Sequence, residues 1–329
     1  MRRLLMFLCI AAGVMQAQSA ESLDWHTVLG WMPTDTETLV AATERFNVPS
    51  VKEKGGPSPE EDVGSPLDLL RRLALSRLLD FPEVYEPLVG RKVQFALGSL
   101  RAVRGFSGLG LGPYDGCAVV VFSEPLGSSL RAVLSQATSK VLSGFAVHSF
   151  STERAGSLRD HPERINLFVT QFAVNVLAVA TDEESLRLLL IRHQEHAPGP
   201  GALSEIPEWK FVDRTAPAWA VRHYRRVDNS TKNLRAAAGQ PQGIDPGAVG
   251  VVYNSQPRGP SQSAFYLSLS PRAANVALLN WDCKDEGLRC RVRRKSAEAI
   301  EVIAATPNSS ALGTFLLLLE SNLGFLIAT

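Results

Sequence analysis

The 329-residue chain carries 34 basic and 33 acidic side chains, with 45% hydrophobic and 20% charged residues. The near-zero balance excludes the basic surplus with which nucleic-acid binders hold phosphates. The apolar content is that of ordinary globular material, and a chain of this length can bury about three quarters of its unfolded surface in one large domain or two small ones.

The N-terminus reads as an export signal. Arg2 and Arg3 form a positive start, Leu4 to Met15 an apolar run, and Gln16 to Ala20 a polar stretch ending in small residues. The run is shorter than the ~20 residues of a spanning helix. The predicted outcome is cleavage after Ala20, with Ala17 and Ser19 as neighbouring alternatives. Cys9 sits mid-run behind Leu8, which disfavours lipidation, and the strongly apolar run favours the general secretory route over twin-arginine export. Removing residues 1–20 takes away two Arg and no acid, so acids then lead bases by one. The expected location is periplasmic or secreted.

In residues 21–329 the first predicted strand follows Met32-Pro33 and ends near Thr43. Val48 to Ser65, rich in Pro, Gly, Lys and Glu, reads as a loop. A helix follows with Ser65 as N-cap, Pro66 as first residue, Asp68 in the first turn, and Leu67, Leu70, Leu73, Ala74 and Leu78 as its buried stripe. Lys92 to Val103 alternates as a strand through Val93, Phe95 and Leu97. Cys117 to Phe122 is a continuous apolar run, as in a strand covered on both faces. The intervening Gly105-Phe106-Ser107-Gly108-Leu109-Gly110-Leu111-Gly112 precedes Pro113 and a strand rather than a helix, so it reads as a hairpin connection and not a phosphate cradle.

One unit recurs. Ala118 to Phe122 leads into Ser129-Leu130-Arg131, and Val176 to Ala180 leads into Ser185-Leu186-Arg187, each an apolar strand feeding a helix. In the second copy Thr181 and Glu184 are expected to form a capping box and Glu183 to support Arg187. The chain then splits into two similar halves, 21–160 and 161–329, or the likeness is a coincidence of amphipathic helices. Further strands are expected at Ile165 to Phe172, Ala218 to His223, Ala248 to Tyr253, Ala264 to Ser270, Val276 to Cys283 and Leu288 to Arg293. The late hairpins imply antiparallel pairing. Ala311 to Ala328 closes the chain as a buried or partner-facing helix, because Glu320 interrupts a membrane span. The predicted fold class is α+β: largely antiparallel sheet packed by helices.

Without Cys9, an odd set of thiols remains: Cys117, Cys283 and Cys290. Cys283 and Cys290, facing inward across an expected hairpin, form the candidate disulfide, with two buried thiols as the alternative. His193 and His196 share a helix end, but no spacing supplies a third metal ligand. Asp182, Glu183 and Glu184 occupy a first helical turn, where the dipole explains them. No Gly-x-Ser-x-Gly elbow is present. Arg289, Arg291 and Arg293 alternate along one strand face, joined by Arg294 and Lys295. They suit an acidic partner or a polyanionic surface, but the pattern reads first as an edge strand guarded by charge.

Met32-Pro33-Thr34-Asp35-Thr36 and the Ala180-to-Leu186 turn into a helix resemble exported bacterial proteins of unknown function, seen mainly in soil and aquatic bacteria, with recurring strand–turn–helix units. The resemblance implies an exported α+β domain and no catalytic residue. The expected function is thus non-catalytic: binding an unidentified protein or envelope partner, without cofactor, metal, nucleic acid or permanent membrane span. The alternatives are an exported hydrolase with dispersed active-site residues and a carrier of a small apolar ligand.

Overall fold

The computed structural model describes residues 23–36, 38–48, 75, 78, 80–102, 114–154, 163–195, 206–224, 249–255, 262–268, 274–275 and 289–305. The expected signal segment, the expected Ser65 cap, the glycine-rich segment 105–112, Cys283, His196 and the C-terminal apolar run lie outside the described residues. Where described, the fold is α+β. Thirteen strands form one sheet, and every pairing in it is antiparallel.

The strands are β1 (Thr38–Ala42), β2 (Phe46–Asn47), β3 (Lys92–Ala102), β4 (Tyr114–Phe122), β5 (Thr138–Leu142), β6 (Phe145–Arg154), β7 (Glu163–Ala173), β8 (Val176–Ala180), β9 (Ala218–Tyr224), β10 (Val249–Ser255), β11 (Gln262–Ser268), β12 (Arg289–Ser296) and β13 (Ala299–Ala305). From the central β1–β9 pair, one side continues through β3, β4, β8, β7, β6 and β5, the other through β10, β11, β13 and β12; β2 pairs with β3 off this path. The helices are α1 (Trp25–Trp31), α2 (Pro82–Tyr85), α3 (Ser128–Gln136) and α4 (Glu183–Gln194).

The sheet is packed on both faces because its central strands are apolar without alternation. In β4, Ala118, Val120 and Phe122 join a first cluster with Leu130 and Leu134 of α3. Cys117, Val119 and Val121 join a second with Leu186, Leu189 and Leu190 of α4 and Val28 and Leu29 of α1. The two Ser-Leu-Arg helices therefore follow adjacent antiparallel strands, β4 and β8, and cover opposite faces. Burying each such leucine contributes roughly 1.5–3 kcal/mol. The segment 155–162, where the two halves would meet, links directly paired β6 and β7.

Several local expectations change. A register shift between Val93 and Phe95 puts Val93 in the first cluster and Phe95 and Leu97 in the second, so these three do not share a face. The cap of α4 is Asp182, whose carboxylate accepts from Ser185 N at 2.8 Å, while Thr181 Oγ1 accepts from Gly116 N at 3.1 Å. With its hydroxyl turned to Gly116 N and its own N–H donating to Gly116 O at 3.0 Å, Thr181 continues the strand pairing and leaves the cap to Asp182. Glu184 takes Arg187, and Glu183 instead reaches Lys140 on β5. In the expected 65–78 helix, Leu75 and Leu78 are helical and buried.

Several elements were not anticipated, β2 and α2 among them. The hairpin of β5 and β6 turns through Ser143 (φ 48°) and Gly144 (φ 78°), a two-residue loop whose positive φ values match the twist of the strands. β13 pairs along all of β11 and most of β12. α1 is capped by Asp24, which accepts from Thr27 N at 2.8 Å. No helix among the described residues is long and apolar enough to cross a membrane.

Candidate functional site

At the β12 end the two faces diverge. On the first face Ile300 and Val302 are fully buried, with Val292 packed against them. On the second, alternation brings polar side chains into one cross-strand row: Val252 faces Tyr266, Tyr266 faces Glu301, and Glu301 faces Arg293.

The row is positioned from β10. Asn254, 1% exposed, donates through Nδ2 to Phe211 O at 2.9 Å and accepts from Asp213 N at 2.9 Å. That clamp ties the 3₁₀ turn Pro207–Phe211 to the sheet and lays the Phe211 ring parallel to Tyr266, with centroids 5.4 Å apart. Asp213 closes its own turn by accepting from Thr215 N at 2.9 Å and Thr215 Oγ1 at 2.7 Å.

Glu301 is 3% exposed yet charged, because Arg293 Nε donates to one carboxylate oxygen and Lys295 Nζ lies 3.9 Å from the other. The Arg293 hydrogen bond, with support from Tyr266 and Lys295 and against the cost of burial, holds the carboxyl below its usual range. Tyr266 moves the other way: burial and the hydrogen bond to Glu301 push its hydroxyl up to about 12. Neither group changes protonation near neutrality, so this row holds charge in place rather than transferring protons.

What remains for an outside partner is cationic. Arg293 stays half exposed at 51%, Lys295 is exposed, and Arg291, two residues along the same strand face, is exposed as well. Arg294 turns to Asn275 and to Ala297 O and so leaves the group. Arg289 opens the strand in register with Ala305. The sequence placed the Arg alternation correctly but missed Glu301, Tyr266, Phe211 and Asn254. A single acid inside the apolar run of β13 was the available signal.

The other candidates separate. Cys117 is a buried thiol on β4. Cys290 lies on β12, whose sheet neighbour among the described residues is β13, in register with Ala304. His193, half-buried, stacks on Phe172 (4.4 Å, 16°), with Trp31 (4.5 Å) and Phe145 (5.4 Å) edge-on, and joins α4 to α1 and the β5–β6 hairpin. Among the described residues no three His, Cys, Asp or Glu side chains are grouped to hold a metal. Asp182 and Glu183 are taken up by the cap and by Lys140.

No protein-family model matches the chain, and neither a curated protein nor a solved structure was found to match it.

Proposed function

We propose that the protein is a non-catalytic binding protein that acts outside the cytosol, periplasmic or secreted, and holds an anionic partner at the β12 end of its sheet. The carrying observation is the set of exposed cations, Arg291, Arg293 and Lys295, standing on a strand whose charge is anchored by buried Glu301. Arg293, anchored on Glu301, loses less side-chain freedom on binding than a loose guanidinium, which favours recognition over mere solubility. Export is supported by the Arg2-Arg3 start, the apolar run and the small residues ending at Ala20.

Photo-crosslinking in intact cells tests this reading, with a reactive residue at position 291 or, at the opposite end of the sheet, at 141. Adducts at 291 that weaken with salt, on a chain beginning at Glu21, are expected. Adducts at 141 alone, or an intact Met1 on cytosolic protein, overturn it.

A further inference from the structure

Resting on that reading, we propose that the anionic partner is a linear acidic polysaccharide, laid across the strands on the second face from Arg291 and Arg293 of β12 to Lys210 and Arg214 beside β9. The strand register gives the direction. Arg291 stands opposite Ile303, Ile303 opposite Ala264, Ala264 opposite Asn254 and Asn254 opposite Trp219, one row from β12 to β9. Four strand spacings make it roughly 19 Å long. The row beside it runs through Arg293, Glu301 and Tyr266.

Both rows meet further cations at their β9 side. Arg214 lies over the Trp209 ring, 5.7 Å from its centroid, and Trp209 rests edge-on against Trp219 at 5.1 Å. Lys210 lies 5.1 Å from the centroid of Phe211, the ring stacked on Tyr266, while Lys295 lies 5.7 Å from the centroid of Tyr266 itself. Lys210 and Arg214 are exposed, and each is steadied by the ring beneath it. The charge at the β12 end therefore belongs to a field several strands wide, with half-buried Ile303 between its margins.

The composition of that field selects the occupant. A folded protein partner needs large apolar anchors at the centre of its footprint. Among the described residues the exposed large hydrophobic side chains are Val89, Val141 and Val174, none of them on β9 to β12. A hydrophilic polymer held by repeated charge fits better. Besides charge, the face offers the half-buried rings of Trp209, Phe211 and Tyr266. A uronate unit matches both, because its carboxylate stands beside the apolar C–H face of a sugar ring that can pack on an aromatic one. Polyphosphate has no such apolar face. A run of glutamates carries its carboxylates on flexible stems, whose ordering costs more than that of a rigid ring.

The test is fluorescence anisotropy on the processed full chain with labelled oligogalacturonates of increasing length, and with labelled polyphosphate and polyglutamate beside them. Affinity is expected to rise about tenfold from a dimer to an oligomer that spans the row, and to fall with salt. Arg291→Glu and Arg214→Glu, at opposite ends of the row, should each loosen binding about tenfold, whereas Val141→Glu leaves it unchanged. Arg214→Gln, which removes the charge without reversing it, should give a smaller loss in the same direction. Affinity that ignores oligomer length, or that ignores both Arg214 variants, overturns the path across the strands. Equal or tighter binding of polyphosphate or polyglutamate overturns the saccharide. If no oligogalacturonate binds while crosslinks still form at position 291, this inference fails and the binding reading stands; loss of both overturns both.

Discussion

β4 and β8 are sealed on both faces, whereas β12, built on the same antiparallel ladder, is open on the face that carries Arg291 and Arg293. The difference lies in the side chains. The run Val176 to Ala180 is buried at every position, but β12 places Val292 on one face and Arg291 and Arg293 on the other. Backbone pairing supplies the frame in both regions. Whether a face becomes core or contact surface is decided two residues at a time.

The hardest blow to the sealed region is Gly116→Ala. A Cβ there lies 2.2 Å from Ser99 O, a backbone atom of the paired strand, so β3 and β4 must separate. A loss of about 3 kcal/mol is expected from the urea midpoint. Next, Leu189→Ala and Leu130→Ala should each cost about 3 kcal/mol. They lie on opposite faces with the sheet between them, so the double mutant should be additive, and a large coupling would break the two-face description. Val292→Ala, at the half-sealed end, should cost about 1 kcal/mol.

Glu301→Gln sharpens the comparison through pH. Because pairing with Arg293 lowers the folded-state pKa of Glu301, the carboxylate adds stability at neutral pH and withdraws it as pH falls through the folded value. The gap in thermal melts between the native protein and the Glu301→Gln variant should therefore close on acidification; a gap constant across pH would remove the charge anchor. Smaller again, Asp182→Ala should cost about 1 kcal/mol by uncapping α4. Ser143→Asn should add about 0.5 kcal/mol, because Asn accepts the positive φ that Ser143 adopts.

Legibility followed the same division. β8 was readable to the residue and β4 over its apolar run, because strands buried on both faces leave a continuous apolar run. β5 was missed, since Thr138, Ser139, Lys140 and Val141 are all exposed, Val141 at 76%, and the Ser143-Gly144 turn was the remaining cue. β13 was missed because Glu301 breaks an apolar run, and burial of that acid depends on a guanidinium supplied by the neighbouring strand. The α4 cap moved by one residue because Thr181 is drawn into the β4–β8 ladder, a demand invisible in local spacing. Of the site, the arginine periodicity was legible. The Asn254 clamp and the Phe211–Tyr266 stack were not, since they join segments whose proximity arises only once β9, β10 and β11 lie side by side.

The β1–β9 seam has a kinetic consequence. Val40 pairs with Ala220, so a chain emerging N-terminus first, from ribosome or translocon, carries β1 with a bare flank until residues near 218 appear. Such late, distant closure slows assembly and leaves an unsatisfied ladder open to aggregation.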